Sequence, residues 1–188
     1  MFRRGFKSWC ENTSVGLRKE LGLGSSDPLD PFRLAAHLNI SVCNASDFAG
    51  LSERSRKCLF VQDKSSWSAA TISWAGSHLI VLNQTHSPAR TNSNLTHELS
   101  HLIIGHSPSR VDVSEDEVLI LHTYDKSQEE QADWLSGCLL LPREALLSIL
   151  RKKLDNDEAT QMFKVSAQML QYRMNITGVK KQARSPRI

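Results

Sequence analysis

The segment His97-Glu98-Leu99-Ser100-His101 combines residue types that can bind a metal ion and move a proton. Two histidines four positions apart on a helix are separated by about 40° around its axis and about 6 Å along it, so both imidazoles can reach one ion. The glutamate beside the first histidine can then take a proton from an attacking water. Zinc suits this arrangement because it accepts imidazole and carboxylate ligands and leaves a position for water. The pattern predicts a zinc-dependent hydrolytic site, although these five residues alone also fit a helix with two ordinary histidines.

A zinc site of this kind needs a third protein ligand. One known arrangement requires glycine and histidine three and six residues after the second histidine. Ile104 and Ser107 occupy those positions here, and Gly105 and His106 are each one residue away from them. That arrangement is therefore excluded, and His106 is expected to be a loop residue.

A carboxylate from a later helix, within residues 128–135, is the expected third ligand. Glu129 and Asp133 are four residues apart and share one helix face. If Glu129 binds the metal, Asp133 can accept a hydrogen bond from a ligand histidine and fix its tautomer. Glu130 lies about 100° away around the helix and has no such companion. The acidic loop at residues 115–117 is a rival source of the ligand, and Glu129 also fits an exposed helix start that the helix dipole favours.

Helices and short strands must position these side chains. Hydrophobic periodicity and capping residues predict helices over residues 6–21, from Pro31 after the N-cap Asp30, over 95–104 before the helix-stopping Gly105, over 127–141, and in shorter pieces within 143–175. A polar linker is expected at residues 83–94. Short β-type runs predict a small antiparallel sheet, with a hairpin turn at Gly76-Ser77. These runs are residues 40–43, 58–62, 70–74 and 78–82.

The order of these elements predicts an α+β fold. We expect a small antiparallel sheet that packs on a helical core, which contains the two-histidine helix and the second, glutamate-bearing helix, with short C-terminal helices after them. One metallopeptidase domain is predicted over residues 1–176, with a helical extension at 1–28 and a helical subregion at 143–176. Residues 177–188 are basic and are expected to be a disordered tail.

The composition is that of an ordinary globular protein, with 188 residues, of which 40% are hydrophobic and 23% charged. No apolar run approaches the roughly 20 residues that span a bilayer, and the start does not resemble a secretory signal, so a cytoplasmic location without membrane contact is expected. The four cysteines lack metal-ligand spacing and are expected to be reduced thiols. Residues 143–188 carry ten Lys and Arg against four Asp and Glu, which permits nucleic-acid contact but is more typical of a solvated face.

Two segments together resemble the ImmA/IrrE family of zinc-dependent peptidases. They are the two-histidine motif and the stretch Glu129-Glu130-Gln131-Ala132-Asp133-Trp134-Leu135-Ser136-Gly137-Cys138-Leu139-Leu140-Leu141-Pro142. Asn83, Arg90 and residues 163–173 are also similar to family positions, so the resemblance covers roughly residues 29–175. It implies that the helical core is of the zincin type, that His97, His101 and Glu129 bind Zn²⁺ and that Glu98 is the general base.

The chain departs from the family pattern at a few positions. Leu141 stands where methionine is usual, Leu135-Ser136 replaces a usual Phe-Ala, and Asn94 stands where an aromatic or apolar residue often precedes the histidine motif. These positions affect packing rather than the metal ligands, so they bear on substrate details more than on zinc.

The resemblance also implies a reaction and a target. The reaction is water attack on a peptide carbonyl. Arg90, His122 and Tyr124 are candidates for stabilising the resulting oxyanion. The target in such proteins is typically a helix-turn-helix repressor-type regulator, cleaved in a stress response or in a phage or mobile-element response.

Two other interpretations remain open. One is a DNA-binding regulator that retains a metal site, because residues 158–178 could form a helix-turn-helix with Gln168, Gln171 and Arg173 on its second helix. Packing of two short helices against the metal-binding helix is the favoured interpretation of that segment. The other is a toxin-type module whose cleft is gated by a partner, and nothing in the sequence separates it from a peptidase.

Overall fold

The computed structural model describes residues 2–47, 53, 57, 67–74, 76–106, 110–113, 119–122 and 125–184. Within them the chain forms eight α-helices and two small sheets. The helices are α1 (Phe6–Glu20), α2 (Pro31–His37), α3 (Pro88–Ile104), α4 (Lys126–Leu140), α5 (Arg143–Lys152), α6 (Asn156–Phe163), α7 (Ala167–Thr177) and α8 (Val179–Arg184). The strands are β1 (Ser41–Asn44), β2 (Ala69–Trp74), β3 (Ser77–Leu82), β4 (Arg110–Val113) and β5 (Leu119–His122). A short 3-10 turn, Ala45–Asp47, follows β1.

The central strand of the three-stranded sheet is β3. β2 pairs with β3 antiparallel across a tight turn at Gly76, whose φ of 78° glycine adopts without strain. β1 pairs with β3 parallel, with Val42 opposite Ile80. The α+β class is consistent with this architecture, but the predicted antiparallel sheet is wrong, because the sheet is mixed. The connection from β1 to the hairpin spans residues 45–68, which is long enough for the crossover that a parallel pair requires. The predicted strand at residues 58–62 lies outside the described residues.

Helix α3 starts earlier than predicted, inside the expected polar linker. The Ser87 side chain caps it by accepting a hydrogen bond from the Arg90 backbone N–H, and Pro88 occupies the first helical position, where no N–H is needed. The first turns of α3 are polar, which hid the helix from the hydrophobic periodicity. The Thr96 and Ser100 hydroxyls are buried and donate to the carbonyls four residues before them, at 2.6 and 2.7 Å. Both hydroxyls are therefore hydrogen-bonded within the core.

Helix α4 agrees with the predicted helix to within one residue at each end. The Asp125 side chain caps it by accepting from the backbone N–H of Ser127 at 2.8 Å. The helix ends at Leu140, two residues before Pro142, which cannot continue a helix. α3 and α4 pack against each other and against the sheet around Leu95, Leu99 and Leu135, all fully buried.

A buried arginine of the N-terminal helix α1 hydrogen-bonds to the end of α4. The guanidinium of Arg18 is fully buried and donates to the Leu139 carbonyl at 2.7 Å, the Ser14 hydroxyl at 2.6 Å and the Asp27 carbonyl at 3.0 Å. The Ser14 hydroxyl in turn donates to the Cys138 carbonyl at 2.7 Å. Burial lowers the pKa of Arg18 to about 10, so it stays charged at neutral pH. These contacts satisfy carbonyls at the C-terminal end of α4, which the helix leaves unpaired.

Replacing this arginine tests how firmly α1 holds α4. Arg18→Ala should lower the free energy of unfolding by about 3 kcal/mol or more, because hydrogen bonds from a charged donor are each worth about 1.5–3 kcal/mol and buried carbonyls lose their partner. Urea unfolding followed by circular dichroism measures this. Lys19→Ala removes the exposed neighbouring cation and should change stability by less than about 0.5 kcal/mol. If Arg18→Ala lowered the free energy of unfolding as little as Lys19→Ala, the buried network would contribute nothing to stability.

Helices α5 to α8 surround a second hydrophobic cluster, which includes Leu146, Phe163, Leu170 and Val179. The expected disordered tail is wrong for residues 179–184, because α8 forms there and Val179 packs fully buried in this cluster. None of the helices in the described part of the chain is both long and apolar enough to cross a membrane.

Candidate metal centre

Three side chains from two packed helices converge beside the sheet. His97 and His101 lie one turn apart on α3, and Glu129 lies in the first turn of α4. The Nε2 atom of His97 is 3.1 Å from Nε2 of His101 and 3.1 Å from Oε2 of Glu129. The Nε2 atom of His101 is 3.5 Å from Oε1 of Glu129. Within the described residues, these three form the one group of histidine, cysteine and carboxylate side chains placed to share a metal ion.

These separations fit a divalent cation. Zinc bonds imidazole nitrogen and carboxylate oxygen at about 2.0–2.2 Å in tetrahedral geometry, which places neighbouring ligand atoms roughly 3.3–3.5 Å apart. The three observed separations, 3.1, 3.1 and 3.5 Å, are close to that value. Two imidazole nitrogens and a carboxylate also form the donor set that zinc prefers in sites with one position left for water.

Asp133 contacts the first of these histidines from the next turn of α4. Its Oδ1 atom is 3.0 Å from Nδ1 of His97, on the side of the ring opposite Glu129. Burial lowers the pKa of His97, but the hydrogen bond and charge of Asp133, with the charges of Glu98 and Glu129, raise it above its ordinary value. A proton held at Nδ1 leaves the Nε2 lone pair free for a cation.

His101 is surrounded differently. Burial, followed by the nearby His97, lowers the pKa of His101 to about 4. Its imidazole is therefore neutral at pH 7, which is the state that binds metals. Its Nδ1 atom is 3.0 Å from Nδ1 of His106, the residue that follows Gly105 at the end of α3.

Glu98 lies next to the metal cluster, by which we mean the three candidate ligands His97, His101 and Glu129. It hydrogen-bonds to strand β2. The Thr71 hydroxyl donates to Oε2 of Glu98 at 2.6 Å. Within the described residues no hydrogen bond reaches the other oxygen, Oε1. Burial raises the pKa of Glu98 above its ordinary value, although the Thr71 hydrogen bond and His97 oppose this change. A carboxylate with a raised pKa is a better acceptor for a proton from water near neutral pH.

An open cavity of about 270 Å³ adjoins this carboxylate. Ser68 and Ala69 line it from the start of β2, and Asn94, His97 and Glu98 line it from α3. Asn94 is three residues before His97, on the same side of the helix, and its amide hydrogen-bonds His86 at 3.1 Å. The polar Asn94 that departs from the family pattern therefore forms part of the cavity wall.

The remaining candidate residues are placed less favourably or lie outside the described residues. Arg90 is exposed, but its Nη2 atom donates to the hydroxyl of the cavity-lining Ser68 at 3.2 Å. Glu130 is exposed on α4 and is not part of the metal cluster. The backbone of His122 ends β5 opposite Arg110, but its side chain is not among the described groups. Tyr124 and the acidic loop at residues 115–117 lie outside the described residues.

Two residues that contact this cluster were missed from the sequence. Thr71 comes from a strand distant in sequence, and no local pattern connects it to Glu98. His106 does follow the end of α3, as the predicted loop residue would, but its contact with His101 was not predicted. Gly105 before it gave one usable signal. A glycine that ends a helix in the left-handed conformation turns the chain back, so the residue after it can lie against the last helical turn.

The sequence matches the model of the peptidase M78 family, described as the IrrE N-terminal-like domain, over residues 35–175. This range includes both helices of the metal cluster and the sheet that carries Thr71. Helix α1, which is fastened to α4 through Arg18, precedes it. No curated protein matched the chain.

Proposed function

The chain belongs to the IrrE N-terminal-like, or ImmA/IrrE-type, family of metallopeptidases, and we propose that it is a zinc-dependent endopeptidase that cleaves a helix-turn-helix repressor-type regulator. The observation that carries the proposal is the convergence of His97, His101 and Glu129 at separations that suit zinc, with Glu98 beside them. The regulator as substrate, and a role in a stress, phage or mobile-element response, are supported by the family resemblance.

Each residue of the cluster has a defined task in this proposal. His97, His101 and Glu129 would hold the ion, which when bound supplies Lewis-acid polarisation of the scissile carbonyl and makes water more acidic. Asp133 accepts a hydrogen bond from Nδ1 of His97 and so orients its ring. Three protein ligands leave a coordination position open, as hydrolytic zinc sites require.

Glu98 moves the proton. Thr71 occupies Oε2 and fixes the carboxylate, which leaves Oε1 to accept a proton from the attacking water. The same carboxylate then delivers that proton to the nitrogen of the leaving amine, so one group serves as base and then as acid. The raised pKa of Glu98 suits both steps.

The cavity beside Glu98 is suited to one side chain of the substrate. Its volume is about 270 Å³, and Ser68 and Asn94 place polar groups in a wall that Ala69 also lines. Arg90 contacts Ser68 at its rim and is our remaining candidate for a residue that contacts the substrate or the oxyanion.

The DNA-binding alternative is less well supported. Helices α6 and α7 are joined by a three-residue turn, as a helix-turn-helix would be. Arg173, the one cation expected to contact DNA from the second helix, is instead fully buried. Its guanidinium pairs with Glu11 of α1 at 2.7 Å and donates to the Leu141 carbonyl at 3.0 Å. Arg173 therefore cannot contact a phosphate. Through it, α7 contacts both α1 and the end of α4.

Metal removal tests the proposed activity. We expect the purified full chain to cleave the helix-turn-helix regulator encoded beside it at one peptide bond, detected by intact-mass spectrometry. Dialysis against 1,10-phenanthroline should abolish cleavage, and one equivalent of Zn²⁺ should restore it. The proposed reaction depends on the bound ion as its Lewis acid. β-Casein, an unstructured probe, should remain intact if cleavage is site-specific. Cleavage that persists after chelation, or none by zinc-loaded protein, would contradict the proposal.

A further inference from the structure

We propose that His106 is a positioning residue for the metal ligand His101, which it orients by accepting a hydrogen bond from the Nδ1–H of that ring. The inference rests on the proposed metal site and extends it to a residue outside the ligand set. The main evidence is the distance of 3.0 Å between Nδ1 of His106 and Nδ1 of His101.

The end of helix α3 brings the two rings together. Gly105 adopts φ 80°, a left-handed conformation, and ends the helix there. The backbone N–H of His106 then donates to the carbonyl of His101 at 3.0 Å, which closes the turn. The rings consequently lie with centroids 5.0 Å apart, edge to face. A residue with a side chain at position 105 would be strained in this conformation, which glycine adopts freely.

The protons in this pair can be assigned by chemistry. Two imidazole nitrogens 3.0 Å apart need one proton between them. Nε2 of His101 faces Nε2 of His97 and the Glu129 carboxylate, so it must carry a lone pair to bind a cation. A neutral imidazole has a single N–H, which must then be at Nδ1 of His101. Nδ1 of His106 is therefore the acceptor, and His106 carries its own proton at Nε2.

The proton of His106 at Nε2 faces a buried environment. Burial lowers the pKa of His106, although the Gln131 side chain opposes this change, and within the described residues no hydrogen bond of good geometry reaches Nε2. The acceptor role at Nδ1 is consequently the well-formed interaction of this ring.

The two histidine ligands are thus oriented by partners of different charge. His97 donates to the carboxylate of Asp133, whereas His101 donates to a neutral imidazole. A carboxylate partner makes the ligand more basic and adds negative charge near the ion, and a neutral partner fixes the ring without adding that charge. Glu98, Glu129 and Asp133 already contribute three carboxylates, and His106 orients the second ring without adding another. An ion bound there would be more electrophilic than one with a fourth carboxylate in place of His106.

Matched variants test the role of His106 by zinc affinity, measured by competition with a chromophoric chelator. His106→Phe keeps an aromatic ring but removes the acceptor, and we expect the dissociation constant for zinc to rise by about 10- to 100-fold. His106→Asn retains an acceptor near the position of Nδ1, and its affinity should stay within about threefold of wild type. Asp133→Ala is the comparison for the His97 side and should weaken zinc binding by a similar factor. Thermal unfolding of each metal-free variant checks that the fold is kept.

A direct measurement on the wild type does not depend on any variant folding. In zinc-loaded protein labelled with ¹⁵N-histidine, NMR should show a proton on Nδ1 of His101 and a scalar coupling across the hydrogen bond to Nδ1 of His106. A proton on Nε2 of His101, or no coupling, would overturn the proposal, as would equal zinc affinities of wild type and His106→Phe or equal losses in the Phe and Asn variants. Because these readouts need no substrate, absence of peptidase activity would count against the proposed function and leave this inference standing.

Discussion

Glu98→Gln is expected to lower kcat for cleavage by about 10²- to 10⁴-fold, the range that a positioned general base contributes, while the zinc content stays unchanged. Glutamine has the shape of glutamate, and its amide oxygen can still accept the hydrogen bond that Thr71 donates. The amide cannot take a proton from water, so the variant separates proton transfer from packing. Single-turnover cleavage of the regulator, with zinc measured in the same sample, gives both quantities.

The zinc measurement makes this result specific. If Glu98→Gln lost its metal, the drop in kcat would report the ligands rather than the base. A variant that keeps its metal and cleaves as fast as wild type would show that another group moves the proton. KM should change less than kcat, because the proton moves only after the peptide is bound.

Helices with strong local signals could be predicted from the sequence. The predicted ends of α4 agree with the structure to within one residue, and the structure adds the N-cap Asp125 at its start, which acts over a few residues as Pro142 does at its end. The start of α3 was missed, although Ser87 before Pro88 is the same kind of capping signal as Asp30 before Pro31. Its first turns are polar because Asn92 and Thr96 are buried among hydrogen-bonding partners, and a hydrophobic pattern does not register buried polar side chains.

The sheet shows the limit of local patterns more clearly. The alternation in β2 and β3, with a glycine between them, predicts a hairpin because the partners are adjacent in sequence. The direction of β1 depends on where the chain travels between residues 45 and 68, and the residues of β1 carry no information about that path. The choice between a parallel and an antiparallel partner is therefore a property of the whole fold.

The residues of the candidate site also differ in whether a local sequence pattern could predict them. Glu129 and Asp133 could be proposed as a pair because their spacing of four residues places them on one helix face, and the structure brings both to His97. Thr71 and His106 could not, because each contacts the cluster through a tertiary or helix-end arrangement. For Arg173, only the DNA-binding alternative predicted a role, as a cation on the second helix of a helix-turn-helix. Glu11, far away in sequence, instead pairs with it in the interior.

Glu129→Gln and His101→Ala are each expected to reduce zinc from about one ion per chain to almost none after dialysis, because hydrolytic sites of this type hold the ion with only three protein ligands. In Glu129→Gln the carboxylate that faces both imidazoles becomes a neutral amide, which removes the one negative ligand and its attraction to the ion. In His101→Ala the ion would keep one imidazole and one carboxylate. Zinc is measured by inductively coupled plasma mass spectrometry on dialysed protein, and circular dichroism confirms that each variant is folded.

Glu130→Gln is the matched control, since it makes the same chemical change one residue along α4 on an exposed side chain. It should keep its zinc and its cleavage rate. If Glu129→Gln kept the ion and Glu130→Gln lost it, the third ligand would be Glu130, and α4 would have to turn by about 100° relative to α3. If both kept it, the carboxylate would come from residues 115–117. Loss in Glu129→Gln alone would identify Glu129 as the third ligand, about one turn before Asp133. One helix, α4, would then both bind the ion and orient its first histidine.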